Sequence, residues 1–395
     1  MLKTYQDLFR ISGAFRVVFS GFIARLPIAM DSIAIIYFVQ SVERRYFIAG
    51  ALTAVAALTT VISTPLWAKA ADKYGQRKVL FTAIPIRSLS FLIFIELVLA
   101  DTPKWIWFIC IIFAESASVS MGSLSRRRWV HLIDVENKAL LSTAYTFESL
   151  MDEFIFILGP ILTTVIVTLF DPKYGILFGI FFLLFGGSLL GFHKISSPSI
   201  IKESNYEKLD SVFKNKKLQA IALPLTLAGG SFSAINICVV AFTDERAIKS
   251  VSGLLLGIWA FGGATSALIN GAVNWRVSHG NRFIFYLFGM TIVSLSFPFV
   301  TNVWFLGVVL FLQGMCIAPL LPNGLPLITA TTPESRLTQA ITLTTAGIPL
   351  TGALGSFFAG KLIDSYGAST GLWLPFIFLL GSSAVALLYF KEYRG

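Results

Sequence analysis

The sequence predicts an all-α integral membrane protein, with twelve transmembrane helices arranged in two six-helix bundles. Three observations carry that expectation. Hydrophobic residues make up 55% of the 395 residues and charged residues only 13%, about half the charged share of ordinary soluble domains. The mean hydropathy is +0.77, and lipid accepts that much apolar surface where water would not. Apolar residues gather in repeated runs of the roughly 20 residues that a helix needs to cross a bilayer core. One long polar stretch, 194–217, divides the chain into halves of similar length.

In chain order, spans are expected near 16–40, 46–68, 79–100, 105–125, 141–168 and 174–193. After the polar stretch they resume near 218–242, 250–274, 283–301, 303–328, 337–362 and 369–390. Several exceed the minimum length, which implies tilt or extension beyond the lipid. Interior prolines (Pro27, Pro85, Pro160, Pro224, Pro298, Pro349 and Pro375) are expected to kink helices or free carbonyls that neighbours must satisfy. The stretch 194–217 reads as a cytoplasmic linker between bundles 1–193 and 218–395, and its lysines can also meet anionic lipid.

The net charge of +10 does not point to nucleic acid, because the basic residues lie between apolar runs. They orient the chain instead. With both termini cytoplasmic, Lys and Arg favour that side by roughly three to one, as expected for an even number of spans in a bacterial cytoplasmic (inner) membrane. Cys110, Cys238 and Cys316 fall inside apolar runs and imply no disulfide framework. The start, from Met1 to Tyr5, shows no removable signal peptide.

The halves repeat weakly, a pattern that accompanies transporter architectures with a site at the repeat interface. Asp72-Lys73-Tyr74-Gly75 closes the second span, and His279-Gly280 holds the matching slot in the second half. Leu158-Gly159-Pro160 through Asp171 is echoed by Leu354-Gly355-Ser356 through Asp364. The run from Ala68 to Lys78 then resembles the loop signature of the major facilitator superfamily, between spans two and three. Asp72, Lys73, Gly75, Arg77 and Lys78 match it in kind, while Ala68 and Gln76 depart from it. The resemblance covers the whole chain through span count, linker and repeat. It implies a twelve-span carrier in which this loop acts as a conformational latch, with Asp72 meeting the start of span eleven near Leu337, Thr338 and Gln339. Gly159-Pro160 resembles part of the motif of the family's antiporters, and it reads equally as a helix kink or close helix contact. The chain resembles the bacterial drug:proton antiporter-type members, although Ile161-Leu162-Thr163-Thr164 follow Gly159-Pro160 where the antiporter motif has further glycines.

Charges within spans are costly and need a reason. The acids are Asp31, Glu96, Glu115, Glu148, Asp152 and Glu153, and the bases are Arg25 and Arg87; all lie in the first half. On span five, Ser142, Tyr145, Glu148, Ser149, Asp152, Glu153 and Phe156 share an arc of roughly 140°, opposite Leu150, Met151, Phe154, Ile155, Ile157 and Leu158. Such carboxylates can exchange protons, so Asp31, Glu115, Glu148, Asp152 and Glu153 are the proton-coupling candidates. Arg25 can neutralise an acid on span five or grip an anionic solute, and the Arg126-Arg127-Arg128 triplet can reach Glu148. Arg87 is expected, with Arg25, as a buried basic partner of these acids, at the periphery of the bundle and with a structural role. The alternative is that these charges form ion pairs that only hold the bundle together.

The second half offers a more apolar wall. Phe232, Asn236, Trp259 and Gln313, with Tyr145 and Ser149 of span five, are candidates to line a substrate cavity; close helix packing is the competing reading. No glycine loop for nucleotide phosphates is present, the histidines (His131, His193 and His279) are too scattered for a metal site, and no catalytic constellation stands out. The chain is therefore expected to be no enzyme and to need no cofactor or metal. Its expected partners are a small-molecule substrate, protons and the lipid bilayer, and it is expected to be a monomer. The leading expectation is a secondary active transporter that exports lipophilic or amphipathic compounds by alternating access, coupled to protons. Proton-coupled uptake of a sugar, amino acid or other metabolite is the first alternative. A non-transport sensor or lipid-handling protein on the same scaffold is the second.

Overall fold

A computed structural model describes residues 2–133, 137–193, 216–273, 275–330, 332 and 337–393. The expected linker therefore lies almost wholly outside the described residues. Two compact units emerge: Met1–Phe38 with Thr59–Asn205, and Val39–Leu58 with Tyr206–Gly395. The division near residue 205 falls within the expected linker. Residues Val39–Leu58, expected in the first bundle by sequence order, group with the second unit.

The first unit is built from α1 (Leu2–Phe9), most of α2 (Ala14–Glu43), the second half of α3 (Tyr46–Tyr74), α4 (Gln76–Leu99), α5 (Lys104–Ser116), α6 (Met121–Leu132), α7 (Lys138–Leu169) and α8 (Lys173–Phe192). The second unit takes the end of α2 and the start of α3, followed by α9 (Lys216–Asp244), α10 (Ser252–Ala272), α11 (His279–Ser294), α12 (Val303–Ile317) and α13 (Leu320–Thr329). It closes with α14 (Leu337–Tyr366), the short α15 (Ala368–Gly371) and α16 (Trp373–Leu388). Eleven stretches among the described residues are long and apolar enough to cross a membrane, so the chain is a multi-pass membrane protein. They coincide with eleven of the expected spans. The remaining expectation, 337–362, falls on α14, a continuous helix of 30 residues, several of whose side chains lie outside the described residues.

Two spans are broken. Span four stops after Ser116 and restarts at Met121, where the Ser120 hydroxyl caps α6 by accepting from the Ser123 amide at 3.4 Å. Breaking a helix in an apolar layer strands carbonyls, and α3 supplies the missing donors. The Ser63 hydroxyl donates to the Glu115 carbonyl at 2.7 Å, and the Trp67 indole donates to the Ser116 carbonyl at 2.7 Å. Span ten breaks between α12 and α13 at Ala318-Pro319, because proline cannot continue the ladder.

Most interior prolines do not break their helices: α2 runs through Pro27, α3 through Pro65, α4 through Pro85, α7 through Pro160, α9 through Pro224 and α14 through Pro349. At Pro224 the freed carbonyl is that of Ala220, and the Tyr393 hydroxyl donates to it. In the second unit α9 lies against α14 at backbone contact distance; a Cβ on Gly355 would sit 2.1 Å from the Gly230 carbonyl. At one end of that unit, Asp364 accepts from the backbone amides of Tyr46 at 2.7 Å and Phe47 at 2.9 Å, the first free donors of α3. Beside it Asp244 accepts from Gln40 Nε2 at 2.8 Å and the Tyr46 hydroxyl at 2.7 Å, and pairs with Lys249 at 3.1 Å.

Candidate functional site

Six of the eight charges expected within the spans fall into two separate clusters, while Glu96 is exposed and Glu153 stands outside both. In the first, Arg25 of α2 is almost fully buried and reaches α7. It donates to Glu148 at 2.5 Å and to Asp152 at 2.7 Å, and its Nε donates to the Gly21 carbonyl at 2.9 Å. Trp129 Nε1 donates to the other oxygen of Glu148 at 2.7 Å, and Arg126 pairs with the other oxygen of Asp152. Glu148 has no exposed surface. Two guanidinium groups therefore face two carboxylates, and charge balances. The partner of Glu148 is thus Arg25 rather than the basic triplet, whose members separate: Arg126 meets Asp152, Arg127 meets Asp72, and Arg128 donates to Gln76 at 2.8 Å.

In the second cluster, Arg87 of α4 donates to Asp31 of α2 at 2.7 Å and to Glu115 of α5 at 3.0 Å. The Thr60 hydroxyl donates to the other oxygen of Glu115 at 3.1 Å. One cation here faces two acids. Arg87 is not peripheral: its side chain is 11% exposed, because α4 packs against both α5 and α8 and turns this face inward. Room for Asp31 depends on Gly179 of α8, where a Cβ would lie 2.8 Å from the carboxylate. Sequence reading missed Thr60, Ser63, Trp67, Trp129 and Gly179. The alternation Ser116, Ser118, Ser120 was the one available sign that span four breaks beside Glu115.

The two expected arcs of α7 resolve into three faces, and Ile155, expected on the apolar arc, is buried with Glu148. Leu150, Phe154 and Leu158 form an exposed apolar face, suited to lipid. Ser142, Tyr145, Ser149 and Phe156 are exposed on a third, mixed face, with Asp152 and Glu153 half-buried beside them. Glu153 makes no hydrogen bond or ion pair to any described residue. Gly159 approaches α2, where a Cβ would lie 2.5 Å from that of Ala29. The helix runs on through Pro160, so this pair makes a close contact and no break.

In the second unit, Phe232, Trp259 and Gln313 come together. The rings of Phe232 and Trp259 are 6.2 Å apart, and the Trp259 indole donates to the fully buried Gln313 side chain. Asn236 lies one turn along α9 and donates to the Phe232 carbonyl at 3.1 Å. Tyr145 and Ser149 belong to the first unit, with the Ser149 hydroxyl donating to the Tyr145 carbonyl at 3.0 Å.

The loop between α3 and α4 holds Gly75 at φ 88, a conformation open to glycine at little cost. Asp72 pairs with Arg127, Lys73 sits over the Tyr74 ring, and Arg77 lies over the packed pair of rings of Phe81 and Phe192. Lys78 is exposed. The side chains of Leu337, Thr338 and Gln339, expected to meet Asp72, lie outside the described residues. No group of His, Cys, Asp and Glu among the described residues could hold a metal ion.

The family model described as Major Facilitator Superfamily matches residues 17–301 and 222–395. No curated protein matches. Among solved structures, a nucleoside transporter, NupG, superposes with a TM-score of 0.73 at 14% identity, covering 96% of this chain and 99% of that one. A bacterial homologue of the iron transporter ferroportin, in an inward-facing state, gives 0.70 at 15%, covering 97% and 99%. A bacterial homologue of the human lysosomal transporter Spinster gives 0.70 at 11%, covering 96% and 97%. At these identities the likeness shows the fold, and with the family match over most of the length, this chain belongs to the major facilitator superfamily of transporters and is not an enzyme.

Proposed function

We propose that this chain is a proton-coupled exporter of lipophilic or amphipathic solutes in a bacterial inner membrane. In this reading it has twelve spans in two six-helix bundles, a monomeric state and cytoplasmic termini, and it works by alternating access. The observation that carries the proposal is the sharing of Arg87 between Asp31 and Glu115. One guanidinium cannot neutralise two buried carboxylates, and uncompensated charge at that depth is costly. A proton on either acid restores neutrality. Because the three groups lie on α2, α4 and α5, gaining or losing that proton changes how these helices are tied together. The balanced Arg25 cluster needs no proton and serves as the fixed tie between α2 and α7.

Within this reading, Asp72, Lys73, Gly75, Arg77 and Lys78 form the latch whose state follows the proton. Each unit has its own candidate solute contacts: the aromatic and amide group of Phe232, Trp259 and Gln313 with Asn236 in the second unit, and Tyr145 and Ser149 on the mixed face of α7 in the first. The test is an inside-out vesicle assay with a respiration-acidified lumen and a pH-sensitive dye. Adding an exported solute should release luminal protons, and Asp31→Asn or Glu115→Gln should abolish the release while the protein remains folded. Release that survives both substitutions would remove this cluster from coupling. The absence of release with any solute, and solute-driven alkalinisation outside right-side-out vesicles, would replace export by symport.

A further inference from the structure

The second unit buries a cation that no acid among the described residues neutralises. Arg282, in the first turn of α11, is 8% exposed. Its contacts are all to neutral groups. Nη1 donates to the Asn270 side-chain carbonyl at 3.3 Å, and Nη2 donates to His279 Nδ1 at 2.8 Å. The Trp275 ring centroid lies 5.5 Å from the guanidinium. The Nε–H is buried and meets no acceptor among the described residues. Neutral acceptors orient a guanidinium but leave its charge uncompensated. In the first half the matching slot holds Asp72, which pairs with Arg127. From Val273 to Arg282 the second half has no Asp or Glu.

A second set of donors sits beside this arginine. The Ser278 hydroxyl caps α11 by accepting from the Asn281 amide at 3.4 Å, and the amides of His279 and Gly280 bond to no described residue. Helical side chains lean toward the N-terminus of their helix, which brings Arg282 back onto this end, as its bond to His279 shows. Arginine can only donate, so His279 Nδ1 accepts and its ring proton sits on Nε2, a further donor. Ser278, His279 and Trp275 are exposed, so the approach is open. Below them the fully buried Asn323 of α13 donates to Asn270 at 3.4 Å.

We propose that this end of α11 binds a phosphate group, either a soluble phosphate or the headgroup phosphate of a lipid. A tetrahedral oxyanion accepts from several donors at once. The helix amides, the arginine Nε–H and the His279 ring converge here, and the anion supplies the counter-charge that the guanidinium lacks. Asn270, Arg282 and Asn323 lie on α10, α11 and α13, so a bound phosphate ties the second half of the broken span ten to its neighbours. It acts on the helices and not on the carried solute. In the orientation proposed above this end faces the cytosol, but binding depends neither on that orientation nor on the solute.

The test uses the full chain, purified in a neutral detergent without phosphate, in two arms. In the first, inorganic phosphate is titrated against chloride at equal ionic strength, and the melting temperature is followed. In the second, native mass spectrometry compares retention of phosphatidic acid with that of diacylglycerol, which lacks the phosphate. The wild type should be stabilised by phosphate or should retain phosphatidic acid preferentially; the arm that responds identifies the source. Arg282→Gln should weaken the responding ligand by at least about tenfold. His279→Ala, at the exposed rim, should weaken it by about threefold or more, and it decides the matter if Arg282→Gln does not fold. A wild type silent in both arms, or a folded variant of either kind that binds as tightly as the wild type, would overturn the proposal and leave the transporter reading standing.

Discussion

Arg25 illustrates how one side chain can hold several others in place. It is surrounded by Gly21, Glu148 and Asp152, with almost no exposed surface. Removing one partner of such a pair leaves a buried charge uncompensated, which costs about 3 to 5 kcal/mol. Arg25→Met should therefore lower the thermal unfolding temperature of the purified protein sharply. Arg25→Met with Glu148→Gln should recover most of the loss, because the stranded carboxylate is gone. Equal losses in both variants would mean that Arg25 contributes through packing of its stem rather than through charge. The acids themselves could be read from the sequence, because charge is rare in these apolar runs. Arg25 could be offered to an acid on span five, but which acid it meets, and that Arg87 is shared, could not be read: Arg87 meets an acid 56 residues away and Arg25 one 123 residues away.

At the scale of helices, the beginning of α3 depends on the far end of α14. Asp364 accepts from the Tyr46 and Phe47 amides, as a capping residue does, although it is supplied from 318 residues along the chain. Loss of a cap costs about 1 kcal/mol. Asp364→Ala should raise amide exchange at the first turn of α3 by roughly fivefold, leaving the middle of the helix unchanged. An unchanged exchange rate at Tyr46 and Phe47 would show that water replaces the carboxylate without loss. The expected spans matched the helices well because a span is set by length and apolarity alone. The interruption of span four did not announce itself, since Ser63 and Trp67, which make it tolerable, lie on another helix.

For the molecule as a whole, the grouping of Val39–Leu58 with the second unit has a consequence for its integrity. A fragment 206–395 lacks that segment, including the Tyr46 and Gln40 groups bonded to Asp364 and Asp244. Expressed alone, it should aggregate or be degraded. Co-expression with 1–205 should return a monodisperse species on size-exclusion chromatography in detergent. A stable, monodisperse 206–395 fragment would show that the segment is dispensable.

The sequence by itself determined the solvent of this protein, its spans, and the concentration of ionisable groups in its first half. Those properties are local: each follows from the side chains of one run of residues in an apolar medium. It also carried the family through the loop from Asp72 to Lys78, because a tight turn after a span requires particular residues at fixed spacing, Gly75 among them. Only the tertiary structure decided that Arg87 faces inward to two acids, that Arg25 closes a neutral cluster, and that Glu153 is left without a partner among the described residues. Pairing is a property of helices brought side by side, and residues scattered along the sequence meet only once packing has chosen their faces.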